Sequence, residues 1–204
     1  MTISKTDLLA RVKSSLTSSY KLLVPDEENT TVLDVIVNNA LAALTQKAPV
    51  TSIDTIVLQP NVQVYPAPAD MWDYKETSWG TFQNVQPWDP GFISRIPVIE
   101  YENGSLHFSF APSAVMLSSL GSRFTYFYFA RYLEDEESGH LNVEPRKQPL
   151  LLLLCLMEAM KILILRSPGS QITAKPGLSK IQYSSPHIAY DALSKEADNL
   201  AAAL

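Results

Sequence analysis

The chain has one cysteine, three histidines and seven glycines in 204 residues. A single cysteine, Cys155, excludes an internal disulfide and a cysteine-based metal knuckle. The histidines, His107, His140 and His187, lack metal-ligand spacing. With glycine so scarce there is no dinucleotide fingerprint and no phosphate-binding loop, and no Gly-x-Ser-x-Gly elbow is present. No catalytic residue, cofactor site or metal site is therefore assigned. Positive charge is short as well. Sixteen Lys and Arg face 21 Asp and Glu, for a net charge of -5. Binding to nucleic acid normally needs clustered cations, so a nucleic-acid-binding surface is not expected. The segment from Met1 to Asp7 lacks the apolar core of a signal peptide, which points to the cytoplasm.

What is abundant is apolar surface, 46% of the residues. The most apolar run, Pro149 to Arg166, falls short of the roughly 20 uncharged residues a membrane span needs. Glu158 and Lys161 interrupt it on one helical stripe. The spacing predicts a helix buried nearly all round, opened by Pro149 and stopped by Ser167-Pro168-Gly169. Three other helices follow from period and caps. Ser4 to Tyr20 repeats apolar residues at Leu8, Val12, Leu16 and Tyr20 behind a Ser4-x-x-Asp7 start. Thr31 to Lys47 places Leu33, Ile36, Val37, Ala40, Leu41 and Leu44 on one face. Ser185-Pro186 opens a last helix that runs to Leu204, with Ala189, Leu193, Ala197, Leu200 and Leu204 on its apolar side.

Strands are expected at Ile53 to Leu58 and Val62 to Tyr65, and in a hairpin over 98–110 that turns at Asn103-Gly104, a preferred type I′ pair. Phe124 to Leu133 carries apolar residues on both faces, as a central or doubly covered strand does. The stretch from Met71 to Arg95 is aromatic but aperiodic and reads as a long loop, as does 167–184. Trp72, Trp79, Phe82 and Trp88 fall in the first of these, and interfaces favour such anchors. The acidic run from Glu134 to Glu137 reads as a solvated turn, since it lacks the alternating ligands of a calcium loop. The fold class expected is α+β, mainly α: a helical bundle with an antiparallel β-hairpin or small sheet inserted.

The order of these elements resembles the head-to-tail adaptor, or head–tail connector, proteins of tailed bacteriophages. Asn38-Asn39-Ala40-Leu41-Ala42-Ala43-Leu44, then Pro49 and a strand, then Tyr65-Pro66-Ala67-Pro68-Ala69-Asp70, is similar to the family's helix, strand and "Tyr-x-Leu-Pro-Ala-Asp" signature, with Ala67 at the leucine position. Leu106 to Pro112, Phe124 to Tyr132, Gln148 to Leu165 and the last helix are similar to its later elements. The resemblance implies a non-enzymatic, structural virion protein of the neck, assembled in the host cytoplasm, with neither cofactor nor membrane partner. Its partners would be the portal protein, the next neck or tail protein, and copies of itself in a ring of twelve to match the portal. DNA would pass through that ring without specific binding, and an acidic lining would let it slide. One adaptor domain is expected over 1–184, with helices 4–20, 31–47 and 149–166 around a β-region at 51–133, followed by a docking helix at 185–204. Portal docking falls to Ile188, Leu193, Leu200 and Leu204, and contact with a neighbouring subunit or the tail to Trp72, Trp79, Phe82 and Trp88. The alternatives are a tail-completion or stopper ring and, from another class, a small enzyme built on His107 and Glu100 across the hairpin.

Overall fold

The structure is a computed structural model that describes residues 3–25, 31–81, 83, 85–89, 91–135, 138–174 and 181–204. The chain divides into two compact units, one of residues 1–49 with 132–204 and one of residues 50–131.

The first unit is built on α5 (Gln148–Arg166). From Leu150 to Met160 every residue is buried except half-buried Leu152 and Glu158. By length and composition alone the helix could cross a membrane. In this unit it is packed instead by α1 (Lys5–Leu16), α2 (Tyr20–Leu23), α3 (Thr31–Lys47) and α6 (Pro186–Ala202). Glu158 and Lys161 pair at 2.6 Å on its wetter stripe. The caps follow the sequence. Ser4 Oγ accepts from the Asp7 amide at 3.0 Å, and Ser185 Oγ accepts from that of Ile188. Two short antiparallel ribbons complete the unit. In one, β1 (Ile3–Ser4) pairs with β8 (His140–Leu141), and in the other β9 (Ile172–Ala174) pairs with β10 (Ile181–Tyr183). The second ribbon corrects the loop expected over 167–184. Its strands are three residues each, too short for a periodic signal.

Lys147 is buried in this unit. Its ammonium donates to Tyr132 Oη at 2.7 Å and to the carbonyls of Ala48 and Pro49 at 3.3 and 3.5 Å. Tyr132 Oη in turn donates to Ala48 O at 2.6 Å. The cluster ties Pro49, where the chain leaves the unit, to Tyr132, where it returns.

The second unit holds two antiparallel sheets of three strands each. One has the order β2 (Val50–Val57), β7 (Arg123–Ala130), β4 (Met71–Thr77). The other has β3 (Val64–Pro66), β6 (Ser105–Phe108), β5 (Ile99–Glu102). The β5–β6 turn uses Asn103 and Gly104 at φ 50° and 76°, as a type I′ turn requires. The unit's core joins Phe108, Phe124 and Tyr126 in a run of ring contacts, with Met71, Leu106 and Trp79 around them.

The described residues are 44% helix and 24% strand, with four small antiparallel sheets among them. It is α+β, but the expected helical bundle with one β-hairpin insertion is overturned. Two elements account for much of the difference. β4 was hidden in the apparent loop 71–95 because its register shifts between Met71 and Asp73 and again between Tyr74 and Glu76. Each bulge resets the inside–outside alternation, so no period of two survives in the sequence. The short helix α4 (Ala114–Leu120) is marked only by its Ser113 cap and by Gly121, at φ 86°, just after it.

Burial sets two solution properties. It pushes the Cys155 thiol up to about 12. The native protein is therefore expected to resist thiol reagents at pH 8 and to react once unfolded, which Ellman titration with and without denaturant would check. Burial also raises the Tyr74 and Tyr132 phenols to about 12 from an ordinary 10. An unfolded chain then loses these protons first, so the stability they contribute is complete below pH 9 and is lost as pH climbs from 9 to 12. Lys147 opposes the trend. Burial lowers its pKa from 10.5, so the stability linked to it rises with pH up to that value. Urea midpoints should fall across this alkaline window, and a flat profile would contradict the buried, protonated phenols.

Candidate interaction surfaces

Trp79 lies two residues past the end of β4, within the aromatic stretch. It is 7% exposed, donates its indole N–H to Gly121 O at 2.9 Å and meets the Phe124 ring edge-on at 5.8 Å. Gly80 follows at φ 78°, a left-handed conformation, with the Ile96 side chain packed where a Cβ would sit. The Gln83 side chain then clamps the loop. Its amide nitrogen donates to Ile93 O, and its amide oxygen accepts from Ile93 N–H, both at 2.8 Å. Farther along, the Arg95 guanidinium lies over the Phe110 ring at 5.2 Å.

Between these anchors a tight turn runs from Gln86 to Asp89, with Pro87 at its second position, where its fixed φ suits the turn. The Asp89 amide donates to Gln86 O at 2.9 Å, and Asp89 Oδ2 accepts from the Gln86 amide at 3.0 Å. Trp88 sits in this turn, 80% exposed. A depression of about 410 Å³ lies at the return of the loop, lined by Phe92, Arg95, Phe110 and Met116 among others. A pinned loop thus holds a large indole in water.

A second surface is the outer face of the β2–β7–β4 sheet. Ile53 opposes Phe127, and Thr51 opposes Phe129. Ile53 and Val57 are 61% and 64% exposed, and Phe127 and Phe129 are half-buried. The Trp72 ring rests against Phe129 at 6.5 Å, and the Lys75 ammonium lies over the same ring. β7 is central, as its sequence indicates, but its second face is offered to solvent rather than covered. The exposed β-branched residues of β2 were the available signal, and they read only as strand propensity.

The residues singled out from the sequence separate accordingly. Trp88 is exposed, Trp72 is half-buried on the sheet face, Trp79 is core, and Phe82 lies outside the described residues. In α6, Leu193 is fully buried with Ala189 and Ala197, and the helix packs on α5. That corrects its assignment to portal docking, because a side chain used within its own unit is not free for a partner. Ile188 and Leu204 are exposed and Leu200 is half-buried. Glu100 and His107 are direct cross-strand partners on the β5–β6 ribbon. The depression beside β5 is lined by Glu100 with Asp73, Tyr74 and Tyr101, and His107 is not in its lining. His140 Nδ1 lies 3.0 Å from Ser138 O, and Glu134 pairs with Lys5 at 2.8 Å; Glu136 and Glu137 lie outside the described residues. Among the described residues no three His, Cys, Asp or Glu side chains are grouped to hold a metal ion. No known protein family matches the chain, and no curated protein resembles it in sequence.

Proposed function

We propose that this protein is a structural assembly subunit of a tailed-phage neck, a head-to-tail adaptor that joins the portal to the next neck protein as one member of a ring. The observation that carries the reading is the loop that pins Trp88 in solvent between the Gln83–Ile93 clamp and the Arg95–Phe110 stack. A docking surface uses a fixed, exposed indole as a central anchor. The resemblance of the sequence to adaptors, from Asn38 through Tyr65-Pro66-Ala67-Pro68-Ala69-Asp70 to the long apolar helix, is the second support for this reading. Exposed Ile188 on α6 and Leu204, two residues past its end, remain available for the portal, and Trp88 serves a neighbouring subunit or the tail side. The net charge of -5 suits a channel through which DNA slides.

Reconstruction of the neck of the encoding particle tests this. The adaptor reading expects density for this chain in the layer that touches the portal. Density one layer farther out would make it a stopper, and absence from the neck would end the proposal.

A further inference from the structure

We propose that β2 pairs with β2 of a second copy of this chain, antiparallel, so that two three-stranded sheets become one continuous sheet with Ile53 facing Ile53 across the two-fold axis.

β2 is an edge strand, paired on one side with β7 through eight unbroken registers and, among the described residues, with no strand on the other. Natural edges are usually blunted by proline, lysine, a bulge or shortness. The opposite edge of this sheet, β4, carries two bulges. β2, with the sequence Val-Thr-Ser-Ile-Asp-Thr-Ile-Val, has no proline, lysine or bulge and runs for eight residues, so its one guard is an inward-pointing charge, which restricts the register rather than closing the edge. Its one charge, Asp54, is turned to the inner face, where its carboxylate accepts from Tyr126 Oη at 3.0 Å.

The free backbone groups can be assigned. The Leu58 amide donates to Ser122 O at 2.8 Å, next to the Val57–Arg123 pair. Alternation along an antiparallel strand then gives β7 the amides of Ser52, Asp54 and Ile56 and leaves those of Thr51, Ile53, Thr55 and Val57 pointing outward. The Arg131 amide donates to Asp70 O at 2.7 Å on the far side of the sheet, in agreement with this phase.

A row of outward amides and carbonyls calls for an extended backbone, and the side chains select which one. Two registers use nearly the whole strand. Centring the axis on Asp54 sets carboxylate against carboxylate, which is unfavourable for facing pairs. Centring it on Ile53 sets Asp54 against Ser52 of the second copy and Thr51 against its Thr55, and packs Ile53 on its own image. The outward amides of Thr51, Ile53 and Thr55 then all fall in hydrogen-bonded pairs. The strand is thus complementary to itself in one register, which makes a second copy the occupant. The pairing does not rest on the adaptor reading. A two-fold contact closes on itself, so it belongs to the free chain rather than to a ring.

Sedimentation of the purified full chain from about 1 to about 200 μM tests the pairing. A dimer of the 22.6 kDa chain is expected. Thr55→Pro removes an outward N–H without touching the β7 ladder and should weaken dimerisation by about tenfold or more. Ile53→Lys, at an exposed position, should do the same and guards against misfolding of the proline variant. Register is read with a short bismaleimide, since native Cys155 is buried. Ile53→Cys should cross-link to itself, and Thr51→Cys should cross-link to Thr55→Cys in a mixture. A monomer throughout, a dimer that Ile53→Lys leaves intact, or cross-links in another register would overturn the proposal.

Discussion

Trp79→Ala is expected to destabilise the protein by about 3–5 kcal/mol, the range for deleting a buried aromatic side chain. The indole is 7% exposed and packs edge-on against Phe124 within the main core of the second unit. Truncation removes that contact, opens a cavity beside close-packed rings and takes away the donor that satisfies Gly121 O. Trp79→Phe separates these contributions. It keeps most of the ring volume and loses the hydrogen bond, so about 1–2 kcal/mol is expected. Urea titration of both variants is the measurement. A Trp79→Ala variant as stable as wild type would mean that this segment is not core.

Trp88→Ala should behave in the opposite way. Its indole is 80% exposed, and surface substitutions of this kind usually stay within about 0.5 kcal/mol in stability. If Trp88 anchors an interface, the loss appears on assembly, at about 2 kcal/mol or more, roughly thirtyfold in affinity. The pinned loop makes the comparison sharp. The Gln83–Ile93 clamp and the Gln86–Asp89 turn do not use the Trp88 side chain, so its truncation leaves the loop in place. Thermal unfolding should be unchanged while incorporation into particles falls. Normal incorporation with normal stability would remove Trp88 from the interface.

The two tryptophans show where sequence reasoning stops. Both sit in one aromatic stretch, and only the prolines flanking Trp88 separate their local sequences. One is core because β4 delivers it to Phe124; the other is solvated because a proline turn carries it outward. β4 itself was unreadable because two bulges erased its alternation. Where periodicity was undisturbed the reading held. α3 spans Thr31–Lys47 as its apolar spacing requires, and α5 is buried as its composition requires. The thin stripe of α6 misled for another reason. Small residues such as Ala189 and Ala197 let a helix approach its neighbour closely, so a stripe that looks too weak to bind is well suited to its own core.

The Lys147 cluster bears on how such a protein diversifies. The first unit's chain leaves at Pro49 and resumes at Tyr132, and the Tyr132 hydroxyl lies 2.6 Å from Ala48 O. The two severed ends of the helical unit are thus already side by side, held by a lysine that belongs to that unit. Residues 50–131 are in effect a cassette inserted between two adjoining ends of the first unit's chain. A gene could exchange, enlarge or discard the cassette, with its exposed indole and its open strand edge, while the helices around α5 keep their sequence and packing.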